Sequence, residues 1–164
     1  MAGLGRVKSL NINTKVYLDT LVGLDSLKVS RHGLPDKAMD MNAVLLIFLL
    51  IGHYLADFCF TTPSMIRAKA DGRKAWPILL HAGIHSLLVG VCLLVFGVPW
   101  KLLLLLMLAE LVSHFLIDTT KGILTARFPL LADQQKKPYW MLYGFDQLLH
   151  LLVIIGIWYY SINQ

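Results

Sequence analysis

Four short strings hold most of the ionisable residues that fall inside apolar stretches of this chain. They are His53-Tyr-Leu-Ala-Asp57, His81-Ala-Gly-Ile-His85, His114-Phe-Leu-Ile-Asp118 and Asp146-Gln-Leu-Leu-His150. Each is a pair four residues apart, drawn only from histidine and aspartate. On a helix, that spacing puts both side chains on one face, about 6 Å apart along the axis. Imidazole nitrogens and carboxylate oxygens projecting inward from facing helices are the ligand set of helix-bundle metal centres. The set suits a divalent transition metal, zinc first, with iron or manganese as alternatives; no thiolate pair points to a Cys-rich structural zinc. His53, Asp57, His81, His85, His114, Asp118, Asp146 and His150 are therefore the candidate metal ligands. Eight exceed what one tetrahedral ion needs, so one or two ions are expected, and a two-metal centre is the natural reading.

One such pair alone is ordinarily an interhelical hydrogen bond. Four of them are a different matter. The chain has six histidines and nine aspartates in 164 residues, and five of the six histidines fall in these strings. Each group buried at mid-membrane costs roughly 2.5–3.5 kcal/mol on insertion scales, so a span that retains two has a reason for them. Asp57, Asp146 and Glu110 are the candidate catalytic carboxylates. Glu110 lies four residues before His114 and extends its stripe. Tyr143 shares the face of Asp146. Tyr54, Gln147 and Cys59 point elsewhere by helical geometry, and Lys121 reads as a side chain reaching to the membrane interface.

The elements that must position these residues follow from composition. The chain is 57% hydrophobic and 15% charged, with mean hydropathy +0.64. An ordinary soluble domain is about 45–50% apolar and about 25% charged. Disorder, a collagen-like fibre and a disulfide scaffold are excluded, and an integral membrane protein is the class that remains. Four apolar runs, over about 42–60, 75–98, 102–120 and 139–160, predict four spanning helices. The fold class expected is all-α, an integral membrane four-helix bundle with a polar His/Asp centre over 42–162, preceded by a polar tail over 1–41. The tail carries no apolar core long enough for a signal peptide, and Met41 is a second candidate start.

Two loops, after the first and third runs, carry eight Lys and Arg residues. The positive-inside rule places them in the cytoplasm, with both termini outside. Measured from the basic ends at 1.5 Å per residue, the four pairs all lie roughly 6–18 Å deep, in one layer. The formal charge of +5 comes from residues flanking apolar runs. It therefore points to membrane lipids as partners, and not to nucleic acid. A homo-oligomer or a larger membrane complex is also expected. Cys59 and Cys92 lie in apolar runs and are not expected to pair.

The strings GHYLADFCFTTPSMIRAKA, HAGIHS, HFLIDTTK and FDQLLH resemble a family of small, uncharacterised bacterial membrane proteins, known only as a domain of unknown function. The resemblance covers about residues 42–160. It departs from the family pattern at Thr61 or Thr62, where the family has glutamine. It implies a compact four-helix domain in a bacterial inner membrane and brings no activity with it. By motif alone, cation-diffusion exporters share the His/Asp spacing, and membrane zinc hydrolases such as ceramidases share the ligand types.

The first functional expectation is a metal-dependent hydrolase in which the metal activates water against an ester, amide or phosphoester of a lipid or other membrane-associated substrate. The alternatives are a metal-ion or proton transporter and a structural subunit of a membrane complex. Eight ligands would hold a transported ion too tightly for ready release.

Overall fold

A computed structural model describes residues 40–163. The expected N-terminal tail lies outside the described residues, apart from its last two. Among the described residues the chain is all-helical: α1 (Met41–Phe58), α2 (Pro63–Asp71), α3 (Ala75–Val95), α4 (Trp100–Arg127), α5 (Pro129–Ala132) and α6 (Lys137–Ile162). α1, α3, α4 and α6 are long and apolar enough to cross a membrane. Around the bundle, α1 packs against α3 and α6, and α4 packs against the same two.

The bundle is inside-out relative to a soluble one. Large apolar side chains such as Phe48, Leu87, Leu105 and Leu152 face outward. Among the described residues nine polar or charged ones are buried, including all eight predicted ligands except Asp57, which is only partly covered. The apolar core fills the other end: Leu45 and Leu49 of α1, Val89 and Leu93 of α3, Leu106 of α4, and Ile154 and Ile157 of α6. Ser86 Oγ donates to the Met107 carbonyl at 2.8 Å, and Trp158 Nε1 to the Asn42 carbonyl at 2.7 Å, so neighbouring helices are also tied through polar groups. Trp76, Trp100 and Trp140 lie exposed near the first turns of their helices, as interfacial anchors do.

The helix ends differ from the sequence reading in an instructive way. The first basic loop contains a helix. Proline at the first position of α2 has no N–H to lose, and Thr62 caps the helix by accepting from the Met65 N–H at 3.4 Å. Gly72 ends it in the left-handed conformation, φ 64°. α4 runs on to Arg127, past the expected end near residue 120, because α2 lies against its last turns. There two glycines meet. A Cβ on Gly122 would stand 2.5 Å from the Gly72 nitrogen, and one on Gly72 would stand 2.5 Å from the Ile123 nitrogen. Backbone thus packs on backbone, and only glycine permits it. Met65 and Ala68 bury the inner face of α2, which turns the neighbouring Lys69 toward the bundle axis.

Candidate metal centre

Five imidazoles from four helices stack into one cluster. Ring centroids are 3.7 Å apart for His85 and His114, 4.1 Å for His114 and His150, 4.7 Å for His81 and His85, and 4.8 Å for His53 and His85. His81 and Asp118 are fully buried.

Hydrogen bonds assign the tautomers of two of these rings, and the two agree. Thr61 follows the unwound end of α1 and donates its only hydroxyl hydrogen to the Ala56 carbonyl at 2.9 Å. It must therefore accept from His81 Nδ1–H at 3.3 Å. His150 Nδ1 can only donate to the Asp146 backbone carbonyl, at 2.9 Å. His114 Nδ1 lies 3.3 Å from Glu110 Oε1, so the carboxyl orients this ring as well. In the His81 and His150 rings the proton sits on Nδ1 and the lone pair on Nε2. This is the arrangement in which the groups behind a metal-binding histidine fix its tautomer and aim the other nitrogen.

The Nε2 atoms of His114 and His150 are buried without a hydrogen-bond partner, as are His85 Nε2 and both ring nitrogens of His53. An unpaired buried acceptor costs about 1–3 kcal/mol. A cluster of them has a physical reason if a cation binds there.

Carboxylates interleave with these nitrogens. Asp57 Oδ1 lies 3.1 Å from His81 Nε2 and 3.6 Å from His85 Nε2. Asp118 Oδ2 lies 3.5 Å from His114 Nε2, and its Oδ1 lies 3.9 Å from His150 Nε2. Three groups place one ligand atom per residue within 4.8 Å of one another: Asp57, His81, His85 and His114; His114, Asp118 and His150; and His53, His85, Glu110 and His114. All three share His114, so they are not three independent sites. Two disjoint triads can be drawn from them, Asp57–His81–His85 and His114–Asp118–His150, each with two imidazoles and one carboxylate.

Lys69 joins the triads and was not expected from the sequence. Its ammonium stands 3.2 Å from Asp57 Oδ1, 3.1 Å from Asp118 Oδ2 and 3.0 Å from His81 Nε2. Three N–H groups meet three acceptors. His81 Nε2 and Asp57 Oδ1 both present lone pairs at 3.1 Å, a contact that a shared cation makes tolerable. Burial pulls the ammonium toward losing its proton, but Asp118 and Asp57 outweigh burial and hold its pKa above the ordinary lysine value. The sequence signal was present but oblique: Thr62-Pro63 opens a helix, Gly72 closes it, and Met65, Ala68 and Lys69 lie on adjoining parts of its face. Thr61 was also missed as a positioning group.

Seven of the eight expected ligands thus converge in these groups, and Glu110 meets them. The eighth, Asp146, stands apart from them. Its Oδ2 pairs with Lys121 Nζ at 2.7 Å and accepts from Gln147 Nε2 at 3.3 Å. Lys121, expected at the interface, is instead half-buried in this pair, its ammonium 4.8 Å above the Tyr143 ring. Tyr54 faces outward, as its position on the helix requires.

Residues 45–164 match the family model described as a protein of unknown function, DUF3307. The chain belongs to this family. All four His/Asp strings fall within the matched residues, in agreement with the resemblance read from them. No curated protein and no solved structure matches the chain.

Proposed function

We propose that this protein is an integral membrane metalloenzyme, a hydrolase acting on a membrane-associated substrate through a two-metal His/Asp centre. The supporting observation is the set of inward ring nitrogens: His81 and His150 with the proton held on Nδ1 by Thr61 and a backbone carbonyl, His114 with its Nδ1 against Glu110, and His85 and His53 beside them with unpartnered ring nitrogens. Each triad offers three protein ligands, two histidines and an aspartate. That is the count of a catalytic zinc site, which keeps one position open, and not of a closed structural one. A bound divalent ion there supplies Lewis-acid polarisation of the scissile group and activation of water.

The chain's own residues divide the remaining work. Glu110 acts through His114, orienting its ring. His53, with both nitrogens unpartnered and Nε2 3.5 Å from Asp57 Oδ2, is placed to take a proton from the attacking water and return it to the leaving group. Asp57 and Asp118 supply one anionic ligand to each triad, and without an ion they hold Lys69 between them. Zinc is favoured by the nitrogen-rich set, with iron or manganese next.

The test is elemental analysis of the purified full chain, with His114→Ala as the variant, since His114 belongs to every candidate group. About two transition-metal ions per chain, falling to about one in the variant because the Asp57–His81–His85 triad remains, supports the centre. Less than about 0.2 ions per chain in both refutes it. Reconstituted vesicles then separate chemistry from transport: lipid turnover without metal flux supports the hydrolase, and flux without turnover overturns it in favour of a transporter.

A further inference from the structure

Lys121 lines two cavities at once. The larger, about 690 Å³, opens among α1, α2, α4, α5 and α6; its wall includes Asp57, Lys69 and Asp71 from the first two of these, and Lys121, Tyr139, Tyr143 and Gln147 from α4 and α6. This is an ordinary size for a ligand site. The smaller, about 210 Å³, is a groove between α4 and α6 lined by Leu116, Ile117, Leu124, Leu142, Phe145 and Leu149, with Lys121 and Asp146 beside them. Leu116 and Phe145 are themselves well exposed on the outward apolar surface. A chamber that reaches Asp57 and carries polar side chains, and an apolar groove beside the outward apolar surface, therefore meet at one ammonium group.

We propose that the substrate is an anionic lipid. One acyl chain lies in the α4–α6 groove, the negative head group sits in the larger cavity against Lys121, and the scissile bond points toward Asp57 and Lys69. This rests on the hydrolase reading above and names its substrate class. Charge and depth carry the argument.

The segments that supply the larger cavity's lining residues, with the turns that join them, also carry Arg67, Arg73, Lys74, Arg127, Lys136 and Lys137. The acidic residues that fall among these in the sequence are Asp71 and Asp133, and both are tied to backbone N–H groups of their own turns, at Arg73 and Gln135. Basic segments at that end of the bundle would concentrate anionic lipid, at about fivefold for each lysine or arginine near a membrane surface. The groove then distinguishes a lipid from a free anion, because a soluble phosphate has nothing to put against Leu116 and Leu149. Lys121 suits the head group as a point charge that leaves phosphate free to turn.

The experiment measures binding, not turnover. Full-length protein in neutral detergent is offered phosphatidylglycerol, phosphatidylcholine or inorganic phosphate, and retained ligand is counted by native mass spectrometry, with metal content determined on the same samples. The proposal expects phosphatidylglycerol to be retained about five- to tenfold over phosphatidylcholine, and that preference to vanish in Lys121→Gln/Asp146→Asn, a pair that keeps a neutral hydrogen bond in place of the ion pair. Leu149→Trp, which fills the groove, should cut phosphatidylglycerol retention while leaving any phosphate adduct unchanged, and Lys121→Arg should retain the lipid. Equal retention of the two lipids overturns the proposal. So does phosphatidylglycerol binding that survives Leu149→Trp and is displaced by millimolar phosphate, which would mark a site for soluble anions. Selective lipid binding by protein that holds no metal sustains the lipid site while refuting the hydrolase; a metal-loaded protein without lipid preference does the reverse.

Discussion

Replacing Lys69 by methionine removes the cation that Asp57 and Asp118 share and keeps most of the side-chain volume. At about 3 Å and an effective dielectric near 20, each Lys–Asp attraction amounts to about 5 kcal/mol before desolvation is subtracted. Breaking a buried ion pair by deleting one partner costs about 3–5 kcal/mol net, and the Lys69 side chain, 18% exposed, is covered enough for that range to apply. Two opposite effects follow. The metal-free protein loses about that much stability, because two carboxylates and the lone pair of His81 then face one another uncompensated. Metal binding gains, since an ion entering between the triads no longer displaces an ammonium from the same oxygens. At about 1.4 kcal/mol per tenfold, the gain is about two to three powers of ten in affinity for the ion that meets Asp57 and Asp118.

The assay is competition for zinc against a chromogenic chelator, on wild-type and Lys69→Met protein, with denaturant unfolding measured with and without zinc. The expected pattern is a variant less stable without zinc, tighter in zinc binding, and close to wild-type stability when loaded. Lys69→Arg, which keeps the charge, should bind zinc no more tightly than wild type. Unchanged or weaker zinc binding by Lys69→Met would refute the idea that lysine and metal compete for the same oxygens.

Thr61→Val removes the acceptor that holds His81 Nδ1–H, so zinc affinity should fall about 10–100-fold in chelator competition, whereas Thr61→Ser should retain it. Asp118→Asn should lower bound metal on elemental analysis, whereas Asp146→Asn should leave metal content near wild type, because Asp146 pairs with Lys121 outside the triads. Gly122→Ala puts a methyl group 2.5 Å from the Gly72 nitrogen; it should cost about 1–3 kcal/mol in denaturant unfolding and lift α2 from α4. If α2 instead stays seated, Lys69 should remain protected from amine-reactive labelling as in wild type, and the contact does not hold that helix down.

The four long apolar helices and the convergence of most of their His/Asp residues were legible because both rest on local periodicity. Apolar runs of about 20 residues and i, i+4 spacing are properties of single helices, and the antiparallel path of the chain carries equal depth from one helix to the next. What stayed hidden depends on contacts between segments. Lys69 reads as one of eight loop cations, and counting charge for topology treats all eight alike. Only the fold-back of α2, with Gly72 on Gly122, sends this one inward. Thr61 is meaningful only because α1 unwinds at Cys59, freeing the hydroxyl to face both Ala56 and His81. Asp146 shares a helix face with His150, as the spacing required, but the histidine ring takes the backbone carbonyl of Asp146 and leaves the carboxylate to Lys121.

The two inward lysines also say how a centre this acidic survives without its ions. Asp57, Asp118 and Asp146 lie in spans where an isolated carboxylate is prohibitively costly. Each has a cation within 3.2 Å: Lys69 serves two of them, and Lys121 serves the third. Lys69 enters from α2, outside the spans, and Lys121 from the last turns of α4, both on flexible four-carbon stems, and both line the larger cavity. A lysine can therefore swing out of the layer without crossing the bundle, whereas a histidine or aspartate ligand cannot leave its helix. The same cavity that offers Lys69 a way out gives an ion its way in. The ammonium displaced by metal would come to rest in the chamber where an anionic head group is proposed to sit. Metal loading and anion binding would then be coupled through one side chain: in chelator competition, phosphatidylglycerol should tighten zinc binding in wild type and lose that effect in Lys69→Met, and an equal effect in both proteins would show that Lys69 does not link the two.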